Sequence, residues 1–240
     1  MLELKDLKKV YGTSTPQSVL NGITLTIQKG EFVVVMGESG SGKSTFLNCI
    51  SSLDKPSAGE VVLEGKNILQ CLVQQTEQLR LHEYGFIFQD NHLIETLTIL
   101  ENIVISRLQY DKQAYSKGQQ LLEQLGIGAL KDRYPHQISG GEKQRAAVAR
   151  ALMNEPKVLF ADEPTASLNP HTANDLILLL EELNRKGQTI IMVTHSMRMA
   201  SYGTRLLVLV DGLFQLDLAM KELSLDEKSK LIHEKVSPFL

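Results

Sequence analysis

Cysteine is nearly missing from this chain. Cys49 and Cys71 are the only two. They have neither metal-ligand spacing nor the layout of a disulfide framework, a pattern that suits a reducing cytosol. A basic excess is missing too. Lys and Arg total 25 against 28 Asp and Glu, for a net charge of −3, so no global positive field marks a nucleic-acid binder. Long apolar runs are absent: "FVVVM", "TIIMV" and "RLLVLV" are the strongest, and each is strand-sized, far short of the ~20 residues of a bilayer-crossing helix. The opening "MLELKDLKKVYG" lacks the apolar h-region of a signal peptide. Any membrane role therefore calls for a separate membrane-spanning partner. No internal repeat or low-complexity segment is evident.

The 240 residues, 42% hydrophobic and 22% charged, fit a soluble globular chain with one large domain or one core carrying an inserted lobe. The first part reads as short strands, "LELKDL", "ITLTI", "EFVVVM" and "GEVVLEG", separated by turn residues. From about residue 74 to 155 the spacing turns helical, in "VQQTEQLRLHEYG", "LTILENIVISRLQ", "KQAYSKGQQLLEQLG" and "EKQRAAVARALMN". Alternation of strand and helix then returns, with "KVLFAD", "QTIIMVTH" and "RLLVLVDG" as strands and "HTANDLILLLEELNRKG" and "SMRMASYG" as helices. Apolar strands without polar alternation suit a parallel sheet buried on both faces. The expectation is an α/β fold in one domain: a core with a mostly parallel sheet and an N-terminal antiparallel β subdomain (about 1–73 and 156–220), and an inserted helical lobe at about 74–155. The highly charged tail, about 221–240, reads as a terminal helix that frays.

Chemistry concentrates first in "GESGSGKST", Gly37 to Thr45. The spacing G-x-x-x-x-G-K-S runs from Gly37 through Gly42 to Lys43 and Ser44, with a strand before it and a helix after it. Such a loop turns successive N–H groups toward one anion, and the helix adds its positive dipole end. Lys43 is placed to reach the β- and γ-phosphates and the Ser44 hydroxyl to bind Mg²⁺. An ordinary Gly/Ser loop is the plain alternative, but lysine and serine at these offsets are not ordinary. Next comes "VLFADEP", where Asp162 and Glu163 leave a strand end together. Asp162 can hold Mg²⁺ and Glu163 can serve as general base toward an attacking water; a helix N-terminus favouring acidic residues before Pro164 is the alternative. His195 follows the strand "TIIMV". Ligands gather at the carboxyl ends of parallel strands, so the three loops should converge, with His195 against the γ-phosphate rather than as a surface histidine. In "ISGGEKQRAAVARAL", Ser139-Gly140-Gly141 opens a helix. A second anion cradle far along the chain makes sense if it caps a phosphate held by another subunit, whereas a plain serine N-cap is the structural alternative.

Together these stretches resemble the ATP-binding subunit of an ATP-binding cassette (ABC) transporter over roughly residues 2–220. "GESGSGKST" is similar to its Walker A motif (Gly37, Glu38, Ser39, Gly40, Ser41, Gly42, Lys43, Ser44, Thr45), "VLFADE" to Walker B, and "ISGGE" to the signature usually written LSGGQ. The resemblance implies that Ser139, Gly140, Gly141 and Glu142 bind ATP across a dimer of two ATPase subunits. It further implies that Gln89 of "FIFQD" joins catalysis and the Mg²⁺ shell, that His195 is the switch histidine, and that Tyr11 stacks on adenine. Two departures stand out. The signature carries Ile138 and Glu142 in place of Leu and Gln. The family's "SALD" is "ASLN", so Asn169 replaces the D-loop aspartate, keeping its size and hydrogen-bonding capacity but not its charge.

"YPHQISGGEKQRAAVARAL" and "LTILENI" resemble the lipoprotein-release, macrolide-export and cell-division group. "SSLDKPSAGEVVLEGKNI" and "FIFQDNHLIETLTILENI" look closer to bacitracin-type antimicrobial-peptide resistance transporters. The implied protein is an ATP- and Mg²⁺-dependent ATPase, peripheral on the cytoplasmic face of the membrane and driving a separate permease. A soluble ABC ATPase acting on ribosomes or DNA is the alternative. The single cassette, the lack of a heptad-rich insertion and the negative charge argue against it. A small-molecule kinase on the same phosphate loop would lack the Ser-Gly-Gly stretch.

Overall fold

The computed structural model describes residues 1–12 and 14–239; Thr13 and Leu240, the last residue of the tail, lie outside them. Alternation in the first part builds an antiparallel sheet in the order β2 (Gln17–Ile27), β1 (Leu2–Tyr11), β4 (Ala58–Leu63), β5 (Lys66–Asn67). The all-apolar runs build the central sheet, because only a strand covered on both faces can bury every side chain. Both β3 (Phe32–Met36) and β8 (Thr189–Val193) are buried throughout. The central order is β10 (Leu213–Ala219), β9 (Arg205–Val210), β3, β8, β7 (Val158–Asp162), β6 (Tyr84–Ile87), parallel except for the antiparallel β10.

Alternate residues of these strands feed two cores. Val33, Val35, Phe160, Ile191, Val193, Leu207 and Leu209 pack with Phe46, Leu47 and Ile50 of α1 (Lys43–Ile50) and with the antiparallel sheet. Cys49 is fully buried there, and burial pushes its thiol up to about 12, so it packs as an inert small side chain. On the opposite face, Val34, Met36, Leu159, Ala161, Ile190 and Met192 meet α3 (Ile99–Val104), α5 (Gly140–Leu152) and α6 (Pro170–Arg185).

Two expectations need correction. The stretch expected to be helical from 74 to 155 contains a strand. After α2 (Val73–His82), β6 pairs with β7 from Tyr84↔Val158 to Ile87↔Ala161 and belongs to the central sheet. "LTILENIVISRLQ" is likewise helical only over α3, and α4 (Ala114–Gln124) follows. The charged tail is not a fraying end. Over α8 (Leu225–Val236), Lys228, Ile232 and Val236 recur at i, i+4, i+8, and all three are buried. Ser224 and Glu227 close a capping box at its start, and the Lys228 ammonium donates to the Gly203 carbonyl at 2.9 Å. Ile232→Ala should therefore destabilise the whole domain by about 2–5 kcal/mol, the cost of truncating a fully buried aliphatic side chain. Thermal or urea unfolding checks this. A variant as stable as the parent would restore the fraying tail.

Candidate active site

Four parallel strands end side by side, and each end delivers a loop to one place. β3 leads into Gly37–Gly42, β6 into Phe88-Gln89, β7 into Asp162-Glu163 and β8 into Thr194-His195. The pairing register sets Val35 beside Val193 and Val193 beside Asp162, so these exits share one level. Between them lies a cleft of about 910 Å³. Ser39, Gly40, Gly42, Lys43, Ser44, Thr45, Gln89, Asp162, Glu163 and His195 all line it.

The phosphate loop turns into α1 at Gly42, which takes a left-handed φ of 102°, and a Cβ there would lie 3.0 Å from the Val19 carbonyl oxygen. Glycine meets both conditions. Lys43 is only 6% exposed; its ammonium donates to the carbonyls of Gly37 (2.9 Å) and Glu38 (2.7 Å), which holds the side chain folded back over the loop. Burial lowers its pKa, and the carboxylates of Glu163 and Asp162 oppose that shift.

No helix starts at Pro164. A turn runs to Asn169 and α6 begins only at Pro170, so Asp162 and Glu163 are not there to complement a helix dipole. The Ser44 hydroxyl donates to Asp162 Oδ1 at 3.3 Å. Burial raises the Asp162 pKa against that bond and against Lys43 and His195; burial likewise raises Glu163, opposed first by His195. Folded pKa values above the unfolded ones mean that these two groups favour folding at low pH and that this contribution falls as pH rises through their pKa. A cation in the cleft would remove that penalty. Glu163 holds a left-handed φ of 47°, a sparsely populated conformation for a non-glycine residue and one found at functional sites. Its Oε2 accepts from the His195 backbone N–H at 3.4 Å. Its Oε1 lies 3.3 Å from His195 Nε2 outside hydrogen-bond geometry, and this buried oxygen accepts no hydrogen bond from the described residues.

Hard oxygen donors from Ser44 and Asp162, with the Gln89 amide on the same wall, suit Mg²⁺. That ion typically takes one or two protein ligands and completes its shell with water and phosphate. The lack of any three-residue His, Cys, Asp or Glu cage among the described residues is no obstacle to such a site.

The remaining sequence-derived residues lie outside the cleft lining. Tyr11 ends β1; its hydroxyl donates to Asp54 Oδ2 at 2.6 Å and the Lys9 ammonium sits 4.6 Å from its ring centroid. Burial and Asp54 raise its pKa. The 138–142 stretch lies apart. Ser139 caps α5 in a closed box: its hydroxyl donates to Glu142 Oε2 at 2.7 Å, its backbone N–H donates to the same oxygen at 2.7 Å, and the Glu142 N–H returns to Ser139 Oγ at 3.4 Å. Those bonds hold the Glu142 carboxyl below its usual range. Gly141 is a packing requirement, because a Cβ there would meet Thr172 Cγ2 at 2.1 Å. Asn169 caps α6, its Oδ1 accepting from the N–H (3.0 Å) and hydroxyl (3.1 Å) of that same Thr172. Thr165, Ser196 and Arg198 also line the cleft. No motif marks them; their one signal is closeness in sequence to Glu163 and His195.

The family described as ABC transporter matches residues 20–166, more than half of the chain. The chain is 45% identical over 218 residues to the bacitracin export ATP-binding protein BceA of Halalkalibacterium halodurans, covering 88% of this chain and 86% of that protein. It is 38% identical to the macrolide export ATP-binding/permease protein MacB of Hyphomonas neptunium, spanning 99% of this chain but 38% of that longer protein. A dimeric ATP-binding cassette solved in a post-hydrolysis state with ADP and Pi superposes with a TM-score of 0.84 at 34% identity, over 92% of this chain and 99% of that one. With the four strand-end loops converging on one cleft, these matches establish that the chain is an ATPase of the ABC transporter family.

Proposed function

We propose that this ABC ATPase pairs with a second ATPase subunit on the cytoplasmic face of a membrane. There it drives a separate permease that exports, or confers resistance to, antimicrobial peptides or similar amphipathic or lipid-linked substrates. The convergence of Lys43, Ser44, Gln89, Asp162, Glu163 and His195 on one cleft carries the ATPase half of this reading. In it the phosphate-loop amides and Lys43 hold the β- and γ-phosphates, and Tyr11 receives the adenine. Ser44, Asp162 and Gln89 hold Mg²⁺, which when bound neutralises charge on the phosphoryl oxygens. Glu163 takes the proton of the attacking water, and His195 orients that water and the γ-phosphate. Ser139, Gly140, Gly141 and Glu142 close over the nucleotide of the other subunit, with Asn169 beside the contact.

Identity to a bacitracin export subunit supports the substrate class, and the export matches favour transport over the ribosome- or DNA-acting alternative. No described helix is long and apolar enough to cross a membrane, in keeping with a permease on another chain. Purification of the chain with a permease encoded beside it, followed by ATPase assays in lipid vesicles, tests the proposal. Bacitracin-like peptides should raise turnover in the complex and leave the isolated ATPase unaffected. A chain that purifies with ribosomes and no permease would overturn it.

A further inference from the structure

A second cavity, of about 920 Å³, lies at the amino ends of the central strands, opposite the nucleotide cleft. The two share no lining residue. Its walls come from the turn before β3, the second half of α6, the turn before β9 and the tail from Lys221 to Lys228.

Charge in this cavity is unbalanced. Lys29, Arg185, Lys221 and Lys228 line it against two carboxylates, Glu31 and Glu181. Both carboxylates are already engaged. Glu181 pairs with Arg185 at 2.8 Å, and Glu31 accepts from Arg205 at 3.4 Å and from the Gln28 N–H at 2.8 Å. Among the described residues, no carboxylate lies within 4.0 Å of the ammonium of Lys29, Lys221 or Lys228. Lys228 is the sharpest case. It is 9% exposed, and its ammonium donates to one neutral carbonyl, that of Gly203. Burial lowers its pKa, with Glu181 opposing that shift and Arg185 adding to it. A buried cation without a counter-charge is costly, and an anion in the cavity would relieve that cost.

The rest of the wall is apolar. Leu178 and Leu225 are 44% and 45% exposed, and Leu223 and Tyr202 line the cavity with them. An apolar wall with a few placed charges, at this volume, is the usual form of a small-molecule site. Lysine binds phosphate as a point charge, and a phosphate monoester carries about −1.5 to −2 near neutral pH. A carboxylate would offset less of the charge on three lysines.

We propose that this cavity binds a phosphate monoester with an apolar body, the phosphate held by Lys29, Lys221 and Lys228 and the body by the leucines. Lys29 belongs to the core, whereas Lys221 and Lys228 belong to the tail. The ligand therefore clamps α8 onto the turn that starts β3, the strand that ends in the phosphate loop.

The test uses the full chain with its nucleotide cleft saturated by Mg²⁺ and a non-hydrolysable ATP analogue, so that phosphate contacts of Lys43 do not register. Calorimetric titrations with phenyl phosphate, inorganic phosphate and phenol separate the two halves of the site. Phenyl phosphate should bind about tenfold or more tighter than inorganic phosphate, through burial of the ring, and phenol should give no measurable heat. Lys29→Ala combined with Lys221→Ala removes two exposed side chains, so the fold should persist. Affinity for phenyl phosphate should drop about tenfold or more, the loss expected for charge-assisted contacts. Lys228→Met keeps the aliphatic stem and should lose as much; if it does not fold, the double variant carries the comparison. Phenyl phosphate should also slow amide exchange across 221–236 in the parent and not in the double variant. Flotation with phosphatidic acid vesicles, against phosphatidylcholine controls, separates the sources of the phosphate. Flotation that phenyl phosphate competes away supports the site with a lipid as its ligand, and calorimetric binding without flotation supports it with a free monoester. A parent that binds no phenyl phosphate, or a double variant that binds it as tightly as the parent, overturns the proposal.

Discussion

Glu163→Gln is expected to bind ATP with parent affinity and to hydrolyse it about 10²–10⁴-fold more slowly, the usual contribution of a positioned general base. Glutamine matches glutamate in shape, so the Lys43 contacts to Gly37 and Glu38 and the Ser44–Asp162 bond should survive. What is lost is the proton acceptor. Glu163 Oε1 is buried on the wall of the cleft and accepts no hydrogen bond from the described residues, which leaves its lone pairs free for a reacting water. The strained backbone, φ 47°, fixes where that oxygen points. Burial raises the Glu163 pKa. Parent turnover should therefore rise with pH as this carboxyl ionises, and the variant should lack that acid limb. With hydrolysis stalled, ATP-loaded dimers should accumulate and elute at twice the monomer mass in gel filtration. Turnover near the parent rate would move the base elsewhere, with His195 the next candidate.

The candidate cleft was legible because each of its parts is a local event at a strand end: an apolar run stops and a glycine-rich or acidic stretch follows. That sign holds whatever the distant packing does. β6 was not legible. It has four residues, a glycine among them, wedged between α2 and the Gln89 loop, too few for any period to register. Its status as a strand depends on pairing with β7 more than seventy residues away. β10 has a readable sign in the sequence. Asp211-Gly212 precedes it with φ of 47° and 74°, the left-handed pair of a tight hairpin turn, and "LFQLDLA" alternates half-buried and exposed positions. The tail misled because charge dominated its composition. The buried stripe of Lys228, Ile232 and Val236 is narrow, and its first member buries an aliphatic stem under an ammonium. For Ser139, Gly141 and Asn169 the structure adds local roles to the expected ones. Two of them cap helices and one packs against Thr172, so any test of their part in the dimer has to separate that part from capping and packing.

Ser139→Arg can make that separation when it is paired with Ser139→Ala. Both variants lose the serine oxygen that accepts from the Glu142 N–H and the hydroxyl that donates to Glu142 Oε2. Both should therefore lose the same capping stability, about 0.5–2 kcal/mol, read as similar shifts in unfolding midpoint. Nucleotide binding by the monomer should be nearly untouched in each, because Lys43 and Tyr11 are unaltered and Ser139 does not line the cleft. The variants should part at the dimer. In a Glu163→Gln background, Ser139→Ala removes one donor to the partner's γ-phosphate and should weaken ATP-dependent dimerisation only partly. Ser139→Arg puts a long side chain into the space that the phosphate would occupy and should abolish it. Lys43→Ala supplies the opposite control, losing ATP binding and the dimer together. If Ser139→Arg with Glu163→Gln dimerises on ATP as strongly as Glu163→Gln alone, Ser139 is a helix cap and nothing more. The two chains would then have to meet through some other surface.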